Sequence, residues 1–133
     1  MPETPADVIK MAQEEGCEYV DFRFVDVPGT QHHFSSPVDM VDEGPFEEGL
    51  GFDGSSVAGF QSIDQSDMIL LPDPTSAFID PFYKRKTLAI LCDVKDPITG
   101  EWYERDPRGV AKRVTSYLDS TGIADTAFIG PEA

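Results

Sequence analysis

Asp53 stands between Gly51 and Gly54, with the hydroxyls of Ser55 and Ser56 beside it. Glycine neighbours let the backbone bend, so a short carboxylate at this point can project into a cleft and offer its charge to a metal or a cationic substrate. The same residues also suit an Asx-turn, in which Asp53 bonds to the nitrogen of a residue two further on. A second carboxylate of interest is Glu132, in Gly130-Pro131-Glu132. Acids at strand ends often ligate divalent cations, which prefer oxygen ligands. One carboxylate does not make a site, and near a chain end it is ordinarily solvated. His32 and His33 are adjacent, so on a strand they point to opposite faces and do not easily share a metal. One of them is expected partly buried and the other exposed.

Other chemistries find little footing. The acids Asp42, Glu43, Glu47 and Glu48 lack the spacing of a calcium loop and read as a solvated face. No glycine is followed by Lys-Ser or Lys-Thr, so no phosphate-binding loop is present. No convincing Ser/His/Asp grouping for nucleophilic catalysis appears.

The elements that must position these residues are legible from periodicity and caps. Thr4-Pro5-Ala6-Asp7 opens a short amphipathic helix carrying Val8, Met11 and Ala12 at helical spacing, with Gly16 as its stop. In Tyr19–Phe24, Val20, Phe22 and Phe24 share one face and Asp21 and Arg23 the other, the alternation of a strand buried on one side. Pro28-Gly29 suggests a type II turn into a returning strand from Gln31 to Ser35. Asp42 to Gly54 reads as a long loop or short irregular helix. Short strands are expected at Met68–Leu71 and Ala77–Ile79. Leu88–Cys92, the most apolar segment, is expected at the centre of the sheet. A turn at Asp96–Gly100 precedes a possible edge strand at Trp102-Tyr103. Asp106 and Pro107 then start a helix whose stripe is Val110, Ala111, Val114, Tyr117 and Leu118, ended by Gly122. Ala127–Ile129 reads as a buried strand leading into Gly130-Pro131-Glu132. The order implies a mixed α+β sheet domain followed by the opening of another unit.

The 133 residues fit one domain of ordinary size, and a large multi-substrate enzyme normally needs more chain. With 25 acidic against 10 basic residues, a formal charge of -15, neither nucleic acid nor an anionic membrane surface is an expected partner. Cys17 and Cys92 are too far apart in sequence for a metal-ligand spacing and read as reduced thiols of a cytoplasmic protein. No signal segment or apolar run of membrane-spanning length is seen.

Taken together, these segments resemble glutamine synthetase of the bacterial type. The resemblance is carried by Phe52-Asp53-Gly54-Ser55-Ser56-Val57-Ala58-Gly59-Phe60 leading into Ser66-Asp67-Met68. Asp80-Pro81-Phe82, Arg105-Asp106-Pro107-Arg108, Thr121–Asp125, Gly130-Pro131-Glu132 and the hairpin segments Tyr19–Phe24 and Gln31–Phe34 extend it collinearly over nearly the whole chain. It implies a β-grasp domain with a short N-terminal helix over residues 1–105. The first helix and strand of a catalytic domain, truncated here, follow over 106–133. It implies a glutamate–ammonia ligase that uses ATP and Mg2+ or Mn2+, works through γ-glutamyl phosphate, and forms its sites between identical subunits of a ring. On this resemblance Asp53 binds ammonium and takes its proton, Ser56 shapes the same neighbouring site, and Glu132 is the first metal ligand. Phe60 stands where the family often has Trp. Ala133 follows Glu132 where a residue, commonly Pro, and a second Glu are usual, so that glutamate, the other ligands, and the nucleotide and glutamate pockets are missing. The chain by itself is therefore expected to be inactive, and the 106–118 stripe to lie exposed or to dock on the sheet. The alternative expectation is a stand-alone, non-catalytic β-grasp module that associates with full-length synthetase subunits.

Overall fold

Helix α1 (Pro5–Glu14) begins where Thr4 Oγ1 accepts a hydrogen bond from Asp7 N at 3.2 Å and Asp7 Oδ2 accepts one from Thr4 N at 3.0 Å. This reciprocal pair satisfies amides that a helix start leaves bare. Val8 and Ala12 turn into the core, and Gly16, at φ +65°, turns the chain out of the helix. The computed structural model describes residues 2–130, and Pro131–Ala133 with Glu132 lie outside them.

Strands β1 (Tyr19–Val25) and β2 (Gln31–Pro37) form an antiparallel hairpin with Phe22 opposite Phe34. Its turn sits one position earlier than the sequence suggested. Gly29 N donates to Asp26 O at 3.1 Å, so Val27 and Pro28 are its central residues. The physical reason is Asp26, whose carboxylate accepts from Thr30 N at 2.6 Å and from His32 Nε2 at 2.9 Å and so anchors the turn at its own position. His32 is partly covered and His33 exposed, as the alternation required.

The centre of the sheet is β6 (Thr87–Lys95). It runs parallel to β1, with Val20 opposite Leu88 and Phe22 opposite Ile90. It runs antiparallel to β4 (Asp67–Pro72) and β5 (Phe78–Asp80), and the edge strand β3 (Leu50–Asp53) pairs with β4. The six described strands thus form one mixed sheet ordered β2-β1-β6-β4-β3, with β5 also on β6. Between β4 and β5 the chain leaves the ladder, and Ser76 Oγ accepts the hydrogen bond of Leu91 N at 2.9 Å in place of a backbone carbonyl. The segment from Asp42 to Gly54, read as a long loop or short irregular helix, contains one helical turn, α2 (Gly44–Glu47), and also strand β3, which was not expected. Glycine at positions 49 and 51 hides the strand's alternation.

The core lies between α1 and the sheet and is built from Val20, Phe22, Met68, Leu70, Leu88, Ile90 and Val94. The opposite face of β1 is not simply solvated, as the alternation implied. Asp21 is fully buried, accepting from His33 Nδ1 and Ser35 Oγ, both at 2.7 Å, and from Arg23 Nε at 2.7 Å. Arg23 Nη2 in turn donates to Asp80 Oδ2 at 2.6 Å. A charge is tolerated at such a depth only when its hydrogen bonds are met, and here β2 and β5 supply the partners.

Helix α3 (Pro107–Thr121) starts at the buried Asp106, which accepts from Arg108 N at 3.0 Å and from Val94 N at 3.1 Å. Arg108 donates to Asp93 Oδ1 at 3.0 Å and also to Asp73, and Lys112 donates to Asp93. Beyond these first turns the helix leaves the sheet. Val114 and Tyr117 are exposed there, Tyr117 to 72%, and Val110 is exposed already in the first turn. Gly122 caps the helix at φ +65°. Two strand expectations fail. Trp102 makes a single bridge to Lys95 instead of an edge strand. Ala127–Ile129 is irregular and open, with Phe128 97% exposed. A strand needs a neighbouring ladder for its amides, and among the described residues no strand pairs with this segment.

Candidate functional site

Asp53 is the last residue of the edge strand β3, paired with Asp67 on β4. From there the chain makes an excursion that returns at Ser66, where Gly54 N donates to Ser66 O at 2.7 Å. Only glycine fits position 54, since a Cβ there would meet Met68 Cγ at 2.7 Å and Ser66 O at 3.2 Å. The closed neck fixes where Asp53 points, and the excursion is pinned to the core by Val57 and Phe60, both buried. Phe60 packs among Phe24, Phe52 and Tyr103, with ring centroids 6.2, 6.4 and 5.1 Å away. At the apex Gly59 adopts φ +78°, and a Cβ there would meet Val27 Cβ at 3.0 Å. Its carbonyl accepts a hydrogen bond from Arg105 Nη1 at 3.0 Å.

The Asp53 carboxylate is exposed, yet it is held firmly. Oδ1 accepts from Ser55 N at 2.9 Å and from Ser55 Oγ at 2.6 Å, and Oδ2 accepts from Ser56 Oγ at 2.6 Å. The Asx-turn and the projecting carboxylate are therefore the same structure, because the turn is what aims the carboxylate. The hydroxyl of Ser55, then that of Ser56, holds the acid below the ordinary carboxylate range. The carboxylate is therefore an anion throughout the neutral range. It can hold a small cation through its remaining acceptor capacity, and it is a weak base while water surrounds it.

The structure thus brings Asp53 and Ser56 together and leaves Glu132 outside the described residues. Ser55 was noted as a hydroxyl beside Asp53 but given no role, although it gives Asp53 two of its hydrogen bonds. The Asp-Gly-Ser-Ser run was the signal for it. Arg105 was quoted only as part of a matching block and given no role, since a guanidinium reaching a carbonyl 46 residues away leaves no local trace. Among the described residues no three His, Cys, Asp or Glu side chains gather to hold a metal ion. No helix among them is long and apolar enough to cross a membrane. Cys17 and Cys92 are free and buried, and burial pushes the Cys92 thiol up to about 12.

Comparison with known proteins converges on one family. The model described as glutamine synthetase, β-grasp domain matches residues 16–97. A glutamine synthetase of Mycolicibacterium smegmatis is 58% identical over 130 residues, 98% of this chain and 27% of that protein. A protein of Cupriavidus pinatubonensis named 3-hydroxylaminophenol mutase is 52% identical over 132 residues, 99% of this chain and 28% of that protein. Among solved structures, the glutamine synthetase of Plasmodium falciparum superposes with a TM-score of 0.81 at 23% identity, over 92% of this chain and 24% of that one, a likeness of fold. The chain spans little more than a quarter of the length of the curated relatives it matches.

Proposed function

The chain belongs to the glutamine synthetase family through its β-grasp domain, and from this we propose that the protein carrying it is a glutamate–ammonia ligase, making glutamine with ATP through γ-glutamyl phosphate. The observation that carries the reading at the level of chemistry is Asp53, an exposed carboxylate kept anionic by two serines on a closed, pinned loop. The loop is lent to the active site of a neighbouring copy in a ring, where Asp53 holds ammonium by charge and Ser56 shapes its surroundings. Docking removes water from the carboxylate, which raises its basicity and lets it accept the proton that turns ammonium into the neutral nucleophile. An open loop then favours capture and a closed one favours deprotonation.

Residues 1–105 form the grasping unit in this reading, and 106–133 begin the catalytic domain. The outward apolar face of α3 supports that division. The described residues do not make a centre for Mg2+ or Mn2+, and the reading assigns them none. Glu132 is the family's counterpart of a ligand. ATP, glutamate and the metals belong to parts of the protein beyond these residues, so the 133 residues alone make no glutamine. A cytoplasmic location accompanies the reading, because ATP is drawn from that pool.

The test is Asp53→Asn in the full-length protein, followed by ammonium saturation at fixed ATP and glutamate. Loss of a group that both binds and deprotonates ammonium is expected to lower kcat/KM for ammonium by roughly 100-fold or more, with the KM for ATP little changed. An unchanged ammonium dependence rejects the role. The Cupriavidus relative motivates one control, because its name describes a rearrangement of a hydroxylaminophenol. Turnover of that compound without ATP, and no glutamine with it, would replace the ligase reading by the mutase one.

A further inference from the structure

Arg105 is exposed, and an exposed arginine ordinarily contributes little. Its surroundings are unlike those of a free surface residue. Nη1 donates to Gly59 O at 3.0 Å, Nη2 lies 3.4 Å from Gln61 Oε1, and the guanidinium carbon sits 5.5 Å from the centroid of the Tyr103 ring. Tyr103 is itself buried against Phe60. One planar cation therefore grips the apex of the Asp53 excursion on both sides of Phe60 and rests on the ring that Phe60 packs against. The next residue, Asp106, is bonded to the central strand through Val94 N and caps α3 through Arg108 N.

We propose that Arg105 is a positioning residue for Asp53, a latch that ties the loop to the root of α3 and so couples the loop's pose to the placement of that helix. The proposal rests on the ammonium role read for Asp53. The neck at Gly54–Ser66 and the buried Phe60 hold the base and middle of the excursion. Phe60 N and Gln61 N bond back within the loop, to Val57 O and Gly54 O, and the Gly59 carbonyl between them accepts from Arg105, which is its link to the root of α3. Movement of α3 relative to the sheet is then transmitted through two consecutive residues to the apex, and along the excursion to Asp53. The subunit that lends the loop thus controls its pose from its own domain junction.

The experiment compares Arg105→Ala, Arg105→Lys and Asp53→Asn in the full-length enzyme. Each variant is checked for wild-type melting temperature and oligomer size, and saturation curves are measured for ammonium, ATP and glutamate. A displaced carboxylate predicts that Arg105→Ala raises the KM for ammonium roughly tenfold while those for ATP and glutamate stay within about twofold. Arg105→Lys, which keeps the charge and one donor to Gly59 O, recovers part of the loss. Amide exchange across Ser55–Gln65 rises in Arg105→Ala. A merely structural arginine would lower the active fraction and the melting temperature without moving the KM for ammonium. If Asp53→Asn abolishes ammonium saturation while Arg105→Ala leaves both KM and loop exchange at wild-type values, the latch is wrong and the role of Asp53 stands. If Asp53→Asn itself leaves ammonium saturation unchanged, the underlying reading has failed and the latch fails with it.

Discussion

Three hydrogen bonds from two serines define the state of the Asp53 carboxylate. Each donor stabilises the charged form, so the acid titrates below its ordinary range. The charge needed to attract a cation is therefore present throughout the neutral range and is lost only in acid below about pH 4, where an ordinary aspartate also protonates. Ser55 dominates this effect. Ser55→Ala removes its hydroxyl donor and leaves the backbone donor, so the Asp53 pKa is expected to rise towards the ordinary value. A carboxyl carbon titration by NMR reads this directly, and a pKa that stays put would show that the hydroxyl is idle. Tyr103 illustrates the opposite case, since its buried hydroxyl finds no partner among the described residues and its contribution comes from the ring.

Strand β1 carries charge on a covered face, which makes the hairpin and β5 interdependent. Burial opposes the charge on Asp21, but Ser35, Arg23 and His33 outweigh it and hold the acid below its usual range. A folded pKa below the unfolded one means that the unfolded chain binds the extra proton, so this stabilisation is present above about pH 4 and disappears as pH falls through the folded value. Asp106 has the opposite sign. Burial raises its pKa above the unfolded value, so its cost is present at neutral pH and is relieved as pH falls. Asp80 and Asp73 follow Asp21, so acid is expected to destabilise the sheet on balance. Asp21→Ala takes one of two carboxylates from the half-buried Arg23, which keeps Asp80, and strips the acceptor from Ser35 and His33, so it should cost about 1–3 kcal/mol at pH 7. Its acid unfolding profile should also be flatter than that of the parent. Urea midpoints measured from pH 3 to pH 7 test both, and parallel profiles would mean that Asp21 is not the titrating group.

At the scale of the molecule, cohesion is uneven. The central strand β6 is buried along most of its length, whereas α3 is fastened mainly by Asp106, Arg108 and Lys112 at its first turns and exposes Val114 and Tyr117 beyond them. Local opening follows the density of buried contacts. Amides of Leu88–Val94 are expected to exchange only on global unfolding, while those of Val114–Leu118 exchange orders of magnitude faster in the 133-residue chain. Equal protection in the two segments would show that the apolar stripe has docked on the sheet. In the proposed assembly a rigid sheet would carry the lent loop, and the incompletely covered helix would meet the rest of the catalytic domain.

Much of this was readable from local pattern. The caps at Thr4 and Asp106, the stops at Gly16 and Gly122, the hairpin and the central placement of Leu88–Cys92 depend on neighbours a few residues apart, and such interactions leave a period or a motif in the chain. The carboxylate at Asp53 and its glycine-bounded turn were legible for the same reason. Strand β3 was not, because Gly49 and Gly51 erase its alternation and only pairing with β4 makes it a strand. The burial of Asp21, the anchoring of the hairpin turn by Asp26 and the grip of Arg105 on Gly59 each join residues through side-chain reach, so folding alone reveals them. Ala127–Ile129 shows the converse, for an apolar run states a preference, and a strand exists only where another strand meets its amides.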